Sequence, residues 1–363
     1  MNVLQILPDL NAGGVERTVL ETVEVLVAQG HGAHVLSNGG RLVPELEAMG
    51  GVHHTADIGS KNILSVPWRI AGIRRLIAEH EIDIVHARSR APAWPAMFAA
   101  RAEGVPFVTT YHGVYNAKSA LKRGYNSVMA KGDVVIANSD FTCDHIIREH
   151  GTAPESIVVI PRGVDITVFD PDRISVEAVK ALRSEWGMKP NETVLVLPGR
   201  LTRWKGQSVA IEALRIRGGG HRLILVGDAQ GREDYVAELR AQAKSLDVVF
   251  AGHRTDMNLI YAAADIILCP STDPEAFGRT AAEAQAMNRP VIASDHGGAV
   301  EVVDHGVTGW RTPPGDAKAL AEAIGRVEDL TGVKDARDRI AVNFSKLSLQ
   351  TALMRVYTRL SKP

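Results

Sequence analysis

Residues 266–286 read IILCPSTDPEAFGRTAAEAQA and contain the pattern from which the fold can be predicted. Its first four residues are a continuous apolar run, which is typical of a parallel β-strand covered on both faces. A polar loop follows, and a helix is expected to begin near Gly278. Strand, loop and helix in this order are the repeating unit of a parallel α/β sheet.

The same alternation of short β-branched runs and longer amphipathic segments continues on both sides of this stretch. It predicts helices that include Val15–Gln29 and Val209–Leu214. The predicted strands are Val3–Leu7, His34–Ser37, Ile82–His86, Phe107–Tyr111, Val134–Ala137, Ile157–Ile160, Thr193–Leu197, Arg222–Val226, Val248–Ala251, Ile266–Cys269 and Val291–Ser294.

The polar segment Asp165–Arg173 interrupts this alternation, so a domain boundary is expected there. We predict an N-terminal domain over residues 1–168 and a C-terminal domain over 169–345. The length of 363 residues is sufficient for two domains. Each half would hold about six strands, which suits a Rossmann-like sheet.

The composition excludes several classes of protein. Lys and Arg total 41 against 42 Asp and Glu, and this balance argues against nucleic acid as a partner. The two cysteines, Cys143 and Cys269, lie far apart, which excludes a disulfide framework and C-x-x-C metal or redox chemistry. We find no signal-peptide pattern and no apolar run of about 18 residues, so a cytoplasmic protein is expected.

Two common nucleotide-binding motifs are absent. The lack of G-x-G-x-x-G gives no sign of a nicotinamide or flavin site, and the lack of G-x-x-x-x-G-K-[ST] excludes P-loop hydrolases. The D-x-D at Asp170-Pro171-Asp172 could bind a metal-diphosphate, but its place at the domain boundary favours an ordinary turn. We therefore expect no metal ion and no cofactor.

Candidate site residues lie in the loops after the strands, because ligands bind at the carboxyl ends of parallel strands. Gly13-Gly14 joins a strand to a helix, where it forms either a plain tight turn or a close approach to an anionic ligand. The loop Gly199–Gly206 contains Arg200 and Lys205, whose charges can converge on one anion.

The most specific signal is the pair Glu275 and Glu283, which are eight positions apart. Glu275 precedes the helix expected near Gly278, and Glu283 lies about two turns along it. The free N–H groups of such a helix start favour a phosphate, while carboxylates accept hydrogen bonds from vicinal sugar or ribose hydroxyls.

In this order, Gly13-Gly14, the Arg200/Lys205 loop and the Glu275-x7-Glu283 element resemble family four of the retaining GT-B glycosyltransferases (glycosyl transferases group 1). The resemblance implies two Rossmann-like domains whose parallel sheets face a central cleft. Residues 161–165, PRGVD, resemble the family's Pro-Asn-Gly-Val-Asp, with Arg162 in place of Asn. Residues 343–345 resemble the point where the last helix, here 346–363, returns to the N-terminal domain.

The resemblance implies roles for individual residues. Arg200 and Lys205 would neutralise a diphosphate leaving group, Glu275 would hold the donor sugar, and Glu283 would bind the nucleotide ribose. His112 matches a family histidine near the reacting sugar, with a purely structural role as the alternative. The implied substrate-binding set is Gly13, Gly14, Arg200, Lys205, Glu275, Ala276, Phe277, Gly278, Arg279 and Glu283; the implied catalytic set is His112, Glu275, Arg200 and Lys205. Arg279 would add a second cation at the helix start or simply face solvent.

The implied reaction is transfer of a hexosyl-type sugar from a nucleotide-diphosphate sugar to a glycan or lipid-linked acceptor, with retention of configuration. Enzymes of bacterial envelope polysaccharide or lipopolysaccharide biosynthesis are the closest in type. No catalytic base is assigned, and the diphosphate itself would accept the proton. The alternatives are a nucleotide-sugar 2-epimerase of the same fold and a non-catalytic nucleotide-sugar-binding subunit.

Segment 117–131 suggests a second surface. Its basic residues alternate with apolar ones at spacings of three and four, which predicts an amphipathic helix with a basic side. The helix would either pack on the core with solvated lysines, which is slightly favoured, or make peripheral contact with the inner membrane face. The residues concerned are Lys118, Leu121, Lys122, Arg123, Tyr125, Val128, Met129 and Lys131.

Overall fold

The computed structural model describes residues 1–11, 13–115, 119–189 and 191–361. The chain forms two compact units, Met1–Gly163 with Lys346–Pro363 and Val164–Ser345. Each unit is built on one wholly parallel sheet, of seven strands in the first and six in the second. The predicted α/β class with two Rossmann-like sheets is therefore confirmed.

In the N-terminal unit the strand order is β3-β2-β1-β4-β5-β6-β7. Its strands are β1 Asn2–Ile6, β2 Gly32–Ser37, β3 Val52–Thr55, β4 Ile84–Ala87, β5 Phe107–Tyr111, β6 Val134–Ala137 and β7 Ile157–Val159. Its helices in chain order are α1 Gly14–Ala28, α2 Val43–Ala48, α3 Val66–Glu79, α4 Arg90–Glu103, α5 Ala120–Asn126 and α6 Asp140–His150.

In the C-terminal unit the strand order is β10-β9-β8-β11-β12-β13. Its strands are β8 Thr193–Pro198, β9 His221–Val226, β10 Val248–Gly252, β11 Ile266–Cys269, β12 Val291–Ser294 and β13 Gly309–Thr312. The helices are α7 Val176–Glu185, α8 Gln207–Arg217, α9 Glu233–Gln242, α10 Met257–Ala263, α11 Arg279–Ala286, α12 Ala299–Val302, α13 Ala317–Ile324 and α14 Ala336–Asn343.

The last helix, α15 Lys346–Leu360, packs on α1 within the N-terminal unit. Leu349, Leu353 and Tyr357 on its inner face are buried in the same apolar cluster as the inner face of α1. Helices α3, α4 and α6 cover the opposite face of that sheet. Because both faces are covered, most residues of the central strands are apolar and buried.

Two strands escaped the sequence prediction, and both lie at an edge of their sheet. Strand β3 reads VHHT and has no buried residue, while β13 reads GWRT and is only partly buried. An edge strand pairs on one side only and needs no apolar run, so periodicity does not detect it. Other strand boundaries differ from the prediction by one or two residues, as at β4.

The amphipathic helix expected over 117–131 is wrong as a single element. Residue 117 and Lys118 lie outside the described residues, and the segment then forms α5 followed by a 3₁₀ turn at Ser127–Ala130. Val128 and Met129 are buried in the core, whereas the side chain of Leu121 is 88% exposed. The apolar residues therefore do not share one face, because two of them anchor the segment to the sheet.

Across the part of the chain that the structure describes, no helix combines the length and the apolar character needed to cross a bilayer.

Candidate active site

The carboxyl edge of the C-terminal sheet holds a partly buried ion pair, whose side chains are 14% and 16% exposed. Lys205 follows β8 and donates from Nζ to Oε1 of Glu275, which follows β11, over 2.8 Å. Ser271 Oγ donates to the same oxygen over 2.5 Å. Burial alone would raise the pKa of Glu275, but Lys205, Ser271 and His296 outweigh it and hold the pKa below its ordinary value. Glu275 is therefore an ionised acceptor with a cation beside it.

The loop that carries Lys205 is fixed by its neighbours. The Nζ of Lys205 lies 4.5 Å from the ring centroid of Trp204, a favourable cation–π distance. The backbone carbonyl of Trp204 accepts from the N–H of Thr272 over 2.7 Å, which ties this loop to the one after β11. Gly206 has φ +75°, and an added Cβ would lie 1.9 Å from the carbonyl oxygen of Pro270. The glycine of the motif is thus required by this close approach.

Helix α11 begins where the sequence predicted, with Gly278 at its N-cap. No side chain caps this end, so the first N–H groups have no intrahelical acceptor. The preceding Phe277 is buried and packs on Phe344 with ring centroids 5.5 Å apart. The side chain of Phe277 is therefore part of the core, and any contact of this residue with a ligand would use its backbone. Ala276 lies half-buried in the same loop.

Glu283 is held on both oxygens. Tyr261 Oη donates to Oε2 over 2.9 Å and Arg279 Nε donates to Oε1 over 2.8 Å. Burial and the neighbouring carboxylate raise the pKa of Tyr261 well above its ordinary value, so its hydroxyl keeps the proton that it donates. Arg279 is thus neither a solvated side chain nor simply a second cation at the helix start, because it orients Glu283. A carboxylate has further lone pairs and still accepts from a ligand hydroxyl.

Arg200 lies at the end of β8 with an exposed side chain. Its backbone carbonyl accepts from Nε2 of Gln207 over 2.9 Å, which fixes the start of the loop. The structure therefore brings Lys205 and Glu275 together, and Arg279 with Glu283, whereas the Arg200 guanidinium contacts neither pair within the described residues.

The N-terminal unit holds a second group of predicted residues, at the carboxyl ends of β5 and β7. His112 follows β5, and Arg162, which follows β7, donates from Nη2 to its Nδ1 over 3.3 Å. Burial first, then Arg162 and Arg88, lower the pKa of His112 well below its ordinary value. His112 is therefore neutral, with its proton on Nε2, a buried atom without a hydrogen-bond partner in the described part of the chain.

Arg162 also explains the second glycine of the first loop. An added Cβ at Gly14 would lie 1.9 Å from Nη1 of Arg162. Gly13 has φ +148°, and Glu16 lies against it, 2.5 Å from an ideal Cβ to Oε2. The sequence left the role of residue 162 open, and the structure places it beside both His112 and Gly14.

A buried polar network behind His112 was missed by the sequence analysis. His86 contacts the hydroxyl of Tyr357 through Nδ1 over 2.6 Å and that of Thr110 through Nε2 over 2.7 Å. Arg88 donates to Thr110 over 3.2 Å. It also donates to Oε1 of Gln5 over 3.0 and 2.6 Å and to Oγ1 of Thr22 over 2.8 Å.

The available signal for this network was the presence of polar residues in otherwise apolar strands, such as Gln5 in β1 and His86 in β4. All six side chains are buried, and Thr110 lies two positions before His112. A fully paired network of this kind rigidifies the ends of the strands that carry it.

The described residues contain no group of three or more His, Cys, Asp or Glu side chains placed to hold a metal ion. Asp170 instead accepts from the N–H of Asp172 over 3.1 Å and caps a 3₁₀ turn at Pro171–Arg173. The D-x-D is therefore a capped turn.

Comparison with known proteins adds the family. Residues 12–168 match the profile described as Glycosyltransferase Family 4, and residues 179–344 match that of Glycosyl transferases group 1. A relative named D-inositol 3-phosphate glycosyltransferase, from Rhodococcus opacus, is 30% identical over 79% of this chain and 70% of its own length.

Among solved structures, a glycosyltransferase from Rickettsia africae has a TM-score of 0.92 at 34% identity, covering 99% of this chain and 98% of its own. HepE of Anabaena, solved in complex with UDP, has a TM-score of 0.88 at 27% identity, covering 99% and 100%. HepE has also been solved with UDP-glucose, with a TM-score of 0.86 at the same identity and coverage. Both neighbours share the two-sheet fold over their whole length.

Proposed function

Because the chain belongs to the family 4, group 1 glycosyltransferases, we propose that it transfers a sugar from a nucleotide-diphosphate sugar to a glycan or lipid-linked acceptor, with retention of configuration. The observation that carries the proposal is the partly buried pair of Lys205 and Glu275 beside the start of α11. A cation, an anion and the N–H groups of a helix start at one sheet edge are what a diphosphate linked to a sugar requires.

Lys205 supplies charge where the reaction needs it. As the bond between the anomeric carbon and the diphosphate oxygen breaks, negative charge develops on the diphosphate, and a positioned cation lowers the energy of that state. Arg200 is exposed at the same edge and supplies a second cation. Its side chain becomes ordered against the diphosphate when the ligand binds. The helix start contributes N–H donors and the partial positive charge of the helix dipole.

Glu275 holds the sugar rather than donating a proton. Its pKa lies below the ordinary range, so the carboxylate is ionised at neutral pH and accepts hydrogen bonds from sugar hydroxyls. Glu283, oriented by Tyr261 and Arg279, accepts from the ribose hydroxyls of the nucleotide. Neither carboxylate acts as a general acid in this scheme.

His112 binds as a neutral donor. With Nδ1 accepting from Arg162, its Nε2–H is the atom that meets a sugar or acceptor oxygen once the ligand is bound. The new bond from the acceptor oxygen to the anomeric carbon forms on the face that the diphosphate leaves. The acceptor proton passes to a diphosphate oxygen, so charge and atoms balance without a protein base.

The first donors to test are UDP-sugars, because the similar HepE was solved with UDP and UDP-glucose. For the acceptor we favour an envelope glycan or glycolipid. D-Inositol 3-phosphate is a second candidate, because several relatives carry its name in theirs.

Peripheral contact with the inner membrane face, on the cytoplasmic side, forms part of the proposal. Leu121 is 88% exposed beside Lys122 and Arg123 on α5. Exposed Ile63, Leu64 and Trp68 lie in the segment after β3. Both segments follow strands at the carboxyl edge of the N-terminal sheet. Exposed apolar side chains with adjacent cations suit an anionic bilayer surface.

Flotation with phosphatidylglycerol vesicles tests this contact. The variant Leu121→Asp with Lys122→Glu should lose vesicle binding, whereas Val342→Asp, an equally apolar and exposed position in the C-terminal unit (72%), should retain it. Wild-type protein that never floats with the vesicles would refute the contact.

The function itself is tested with a panel of nucleotide diphosphates and nucleotide sugars in a thermal-shift assay. A ligand at 100 times its dissociation constant stabilises the protein by about 2.7 kcal/mol. The shift should be lost in Arg200→Ala and Glu283→Ala. Product analysis then separates the alternatives, since an epimerase converts the donor without an acceptor and a binding subunit does not turn it over. A product of inverted configuration would refute retention.

A further inference from the structure

The loop after β12 holds the segment that carries Glu275 at two points. His296 Nε2 donates to the backbone carbonyl of Ser271 over 2.9 Å. The N–H of Gly298 donates to the backbone carbonyl of Glu275 over 2.7 Å. A carbonyl oxygen only accepts hydrogen bonds, so Nε2 of His296 carries a proton. These two contacts fix both ends of the segment 271–275.

Gly297 lies between the two contacts and allows the close approach. Its φ is +67°, and an added Cβ would lie 2.6 Å from the carbonyl oxygen of Glu275 and 2.8 Å from its nitrogen. The next residue towards the strand, Asp295, donates from its N–H to the carbonyl of Thr312 in β13 over 2.7 Å. The loop after β12 is therefore anchored to the sheet on one side and to the Glu275 segment on the other.

The two carboxylate oxygens of Glu275 have different surroundings. Oε1 accepts from Nζ of Lys205 over 2.8 Å and from Oγ of Ser271 over 2.5 Å. Within the part of the chain that the structure describes, both protein donors to this carboxylate bind Oε1. A carboxylate has about four lone-pair sites, so Oε2 is the oxygen that can accept from a ligand hydroxyl. The direction of Oε2 is set by the groups that hold Oε1.

A chain of contacts thus runs from His296 through Ser271 to Glu275. The histidine fixes the main chain of Ser271, and the serine hydroxyl holds Oε1. Resting on the proposed function, we infer that His296 is a positioning residue for the donor sugar, because it fixes Glu275 so that Oε2 accepts from a sugar hydroxyl. His296 then sets the affinity for the sugar part of the donor and leaves the affinity for the nucleotide part unchanged.

The nucleotide part is served by other contacts. Glu283, proposed to bind the ribose, is oriented by Tyr261 and Arg279. Lys205, proposed to bind the diphosphate, lies against the ring of Trp204. These contacts involve side chains other than His296, so a change at His296 should separate sugar binding from nucleotide binding.

The probes are UDP-glucose and UDP, titrated calorimetrically into the full chain; if the nucleotide panel selects another donor, that donor and its nucleoside diphosphate replace them. His296→Phe keeps a ring but removes the N–H donor. We expect it to raise the dissociation constant of UDP-glucose about 3–10-fold and that of UDP less than about twofold, because one orienting hydrogen bond is lost. His296→Gln should restore UDP-glucose affinity to within about twofold, since its amide again donates an N–H.

Ser271→Ala removes the next link of the chain and tests the inference even if His296→Phe folds poorly. It should weaken UDP-glucose binding by a similar factor and leave UDP binding unchanged. In this background His296→Phe should add less than about a further twofold, because residues that act in series are not additive.

His305→Phe is the matched control in the same unit. The ring of His305 also bonds to the backbone, since its Nδ1 accepts from the N–H of Arg311 over 3.0 Å. That contact lies outside the segment 271–275, so its loss should change neither affinity.

The inference and the proposed function fail in different ways. Equal losses for UDP and UDP-glucose in His296→Phe, unchanged UDP-glucose affinity, no restoration by His296→Gln, or the same loss in His305→Phe would each overturn the inference. The same holds if the losses in Ser271→Ala and His296→Phe are fully additive. In all these cases the wild type still binds its donor, so the proposed function stands. If no nucleotide sugar binds the wild type, the proposed function fails and the inference fails with it.

Discussion

The two units organise charge at their sheet edges in different ways. In the C-terminal unit an ionised carboxylate, Glu275, pairs directly with Lys205. In the N-terminal unit neutral histidines, His86 and His112, surround the buried Arg88, and hydroxyl and amide groups complete the network. In the function we propose, the first arrangement would stabilise a charged leaving group, and the second would position a neutral donor. One chain thus keeps its ionised pair and its neutral histidines in separate units.

The largest effect is expected at the ion pair. Lys205→Ala should lower kcat about 10²–10³-fold, because the developing charge on the diphosphate loses its cation. Glu275 would also be left as a partly buried carboxylate without its partner, which costs stability. Single-turnover transfer from the donor found in the nucleotide panel measures the rate.

Lys205→Arg is the control for this prediction, since it keeps a positive charge on a long side chain at the same position. If Lys205→Ala retains the wild-type rate while it stays folded, the ion pair is structural and the donor site lies elsewhere.

Acidification should separate the two units. His86 and His112 have pKa values far below the 6.5 of an unfolded histidine, so below pH 6.5 the unfolded state binds protons that the folded state does not. As the pH falls below 6.5, the free energy of unfolding of the N-terminal unit therefore decreases by about 1.4 kcal/mol per pH unit for each histidine that stays neutral. The pKa of Glu275 is lowered, so its contribution to the free energy of unfolding is lost only as the pH falls below about 4.5.

Peptide-resolved hydrogen exchange at pH values of about 7.5, 5.5 and 4 measures this difference in stability between the two units. Protection should fall first around β4 and β5 and later around α11. Simultaneous loss in both units would contradict the contrast between neutral and ionised sites.

The network itself is tested at Tyr357. Tyr357→Phe removes the hydroxyl that contacts Nδ1 of His86 and leaves that buried nitrogen without its partner. The free energy of unfolding should fall by about 1–3 kcal/mol. Urea denaturation followed by circular dichroism gives this value.

Tyr125→Phe, at a 40% exposed ring, serves as the matched control and should change stability by less than about 0.5 kcal/mol. An equal effect of both substitutions would show that the network contributes no more than a surface hydroxyl.

The smallest effect is expected at Arg279. Arg279→Ala removes one of the two groups that orient Glu283, while Tyr261 remains. Nucleotide affinity should fall about 2–5-fold, equivalent to about 0.5–1 kcal/mol for a partly exposed ion pair. Calorimetric titration of UDP measures it, and a loss above about a hundredfold would make Arg279 a direct phosphate ligand instead.

Sequence reasoning succeeded where the information is local. The apolar runs predicted the central strands, because a strand covered on both faces is mostly apolar. Gly278 was expected near the start of α11, and the structure has it at the N-cap. The edge strands β3 and β13 were missed because one-sided pairing leaves no apolar pattern. Segment 117–131 was predicted as one amphipathic helix because spacing alone does not show that Val128 and Met129 turn into the core.

The sequence by itself determined the α/β class, the two sheets and the resemblance to a glycosyltransferase family, because each depends on residues that are neighbours along the chain. Only the tertiary structure decided which side chains meet. Arg162 and His112 are 50 positions apart, and His86 and Tyr357 are 271 apart. Arg162 and His112 meet because the parallel strands before them end at the same edge of the sheet. Tyr357 reaches His86 because α15 packs in the same apolar cluster as the strands. Contacts of this range depend on strand order, which no local pattern records.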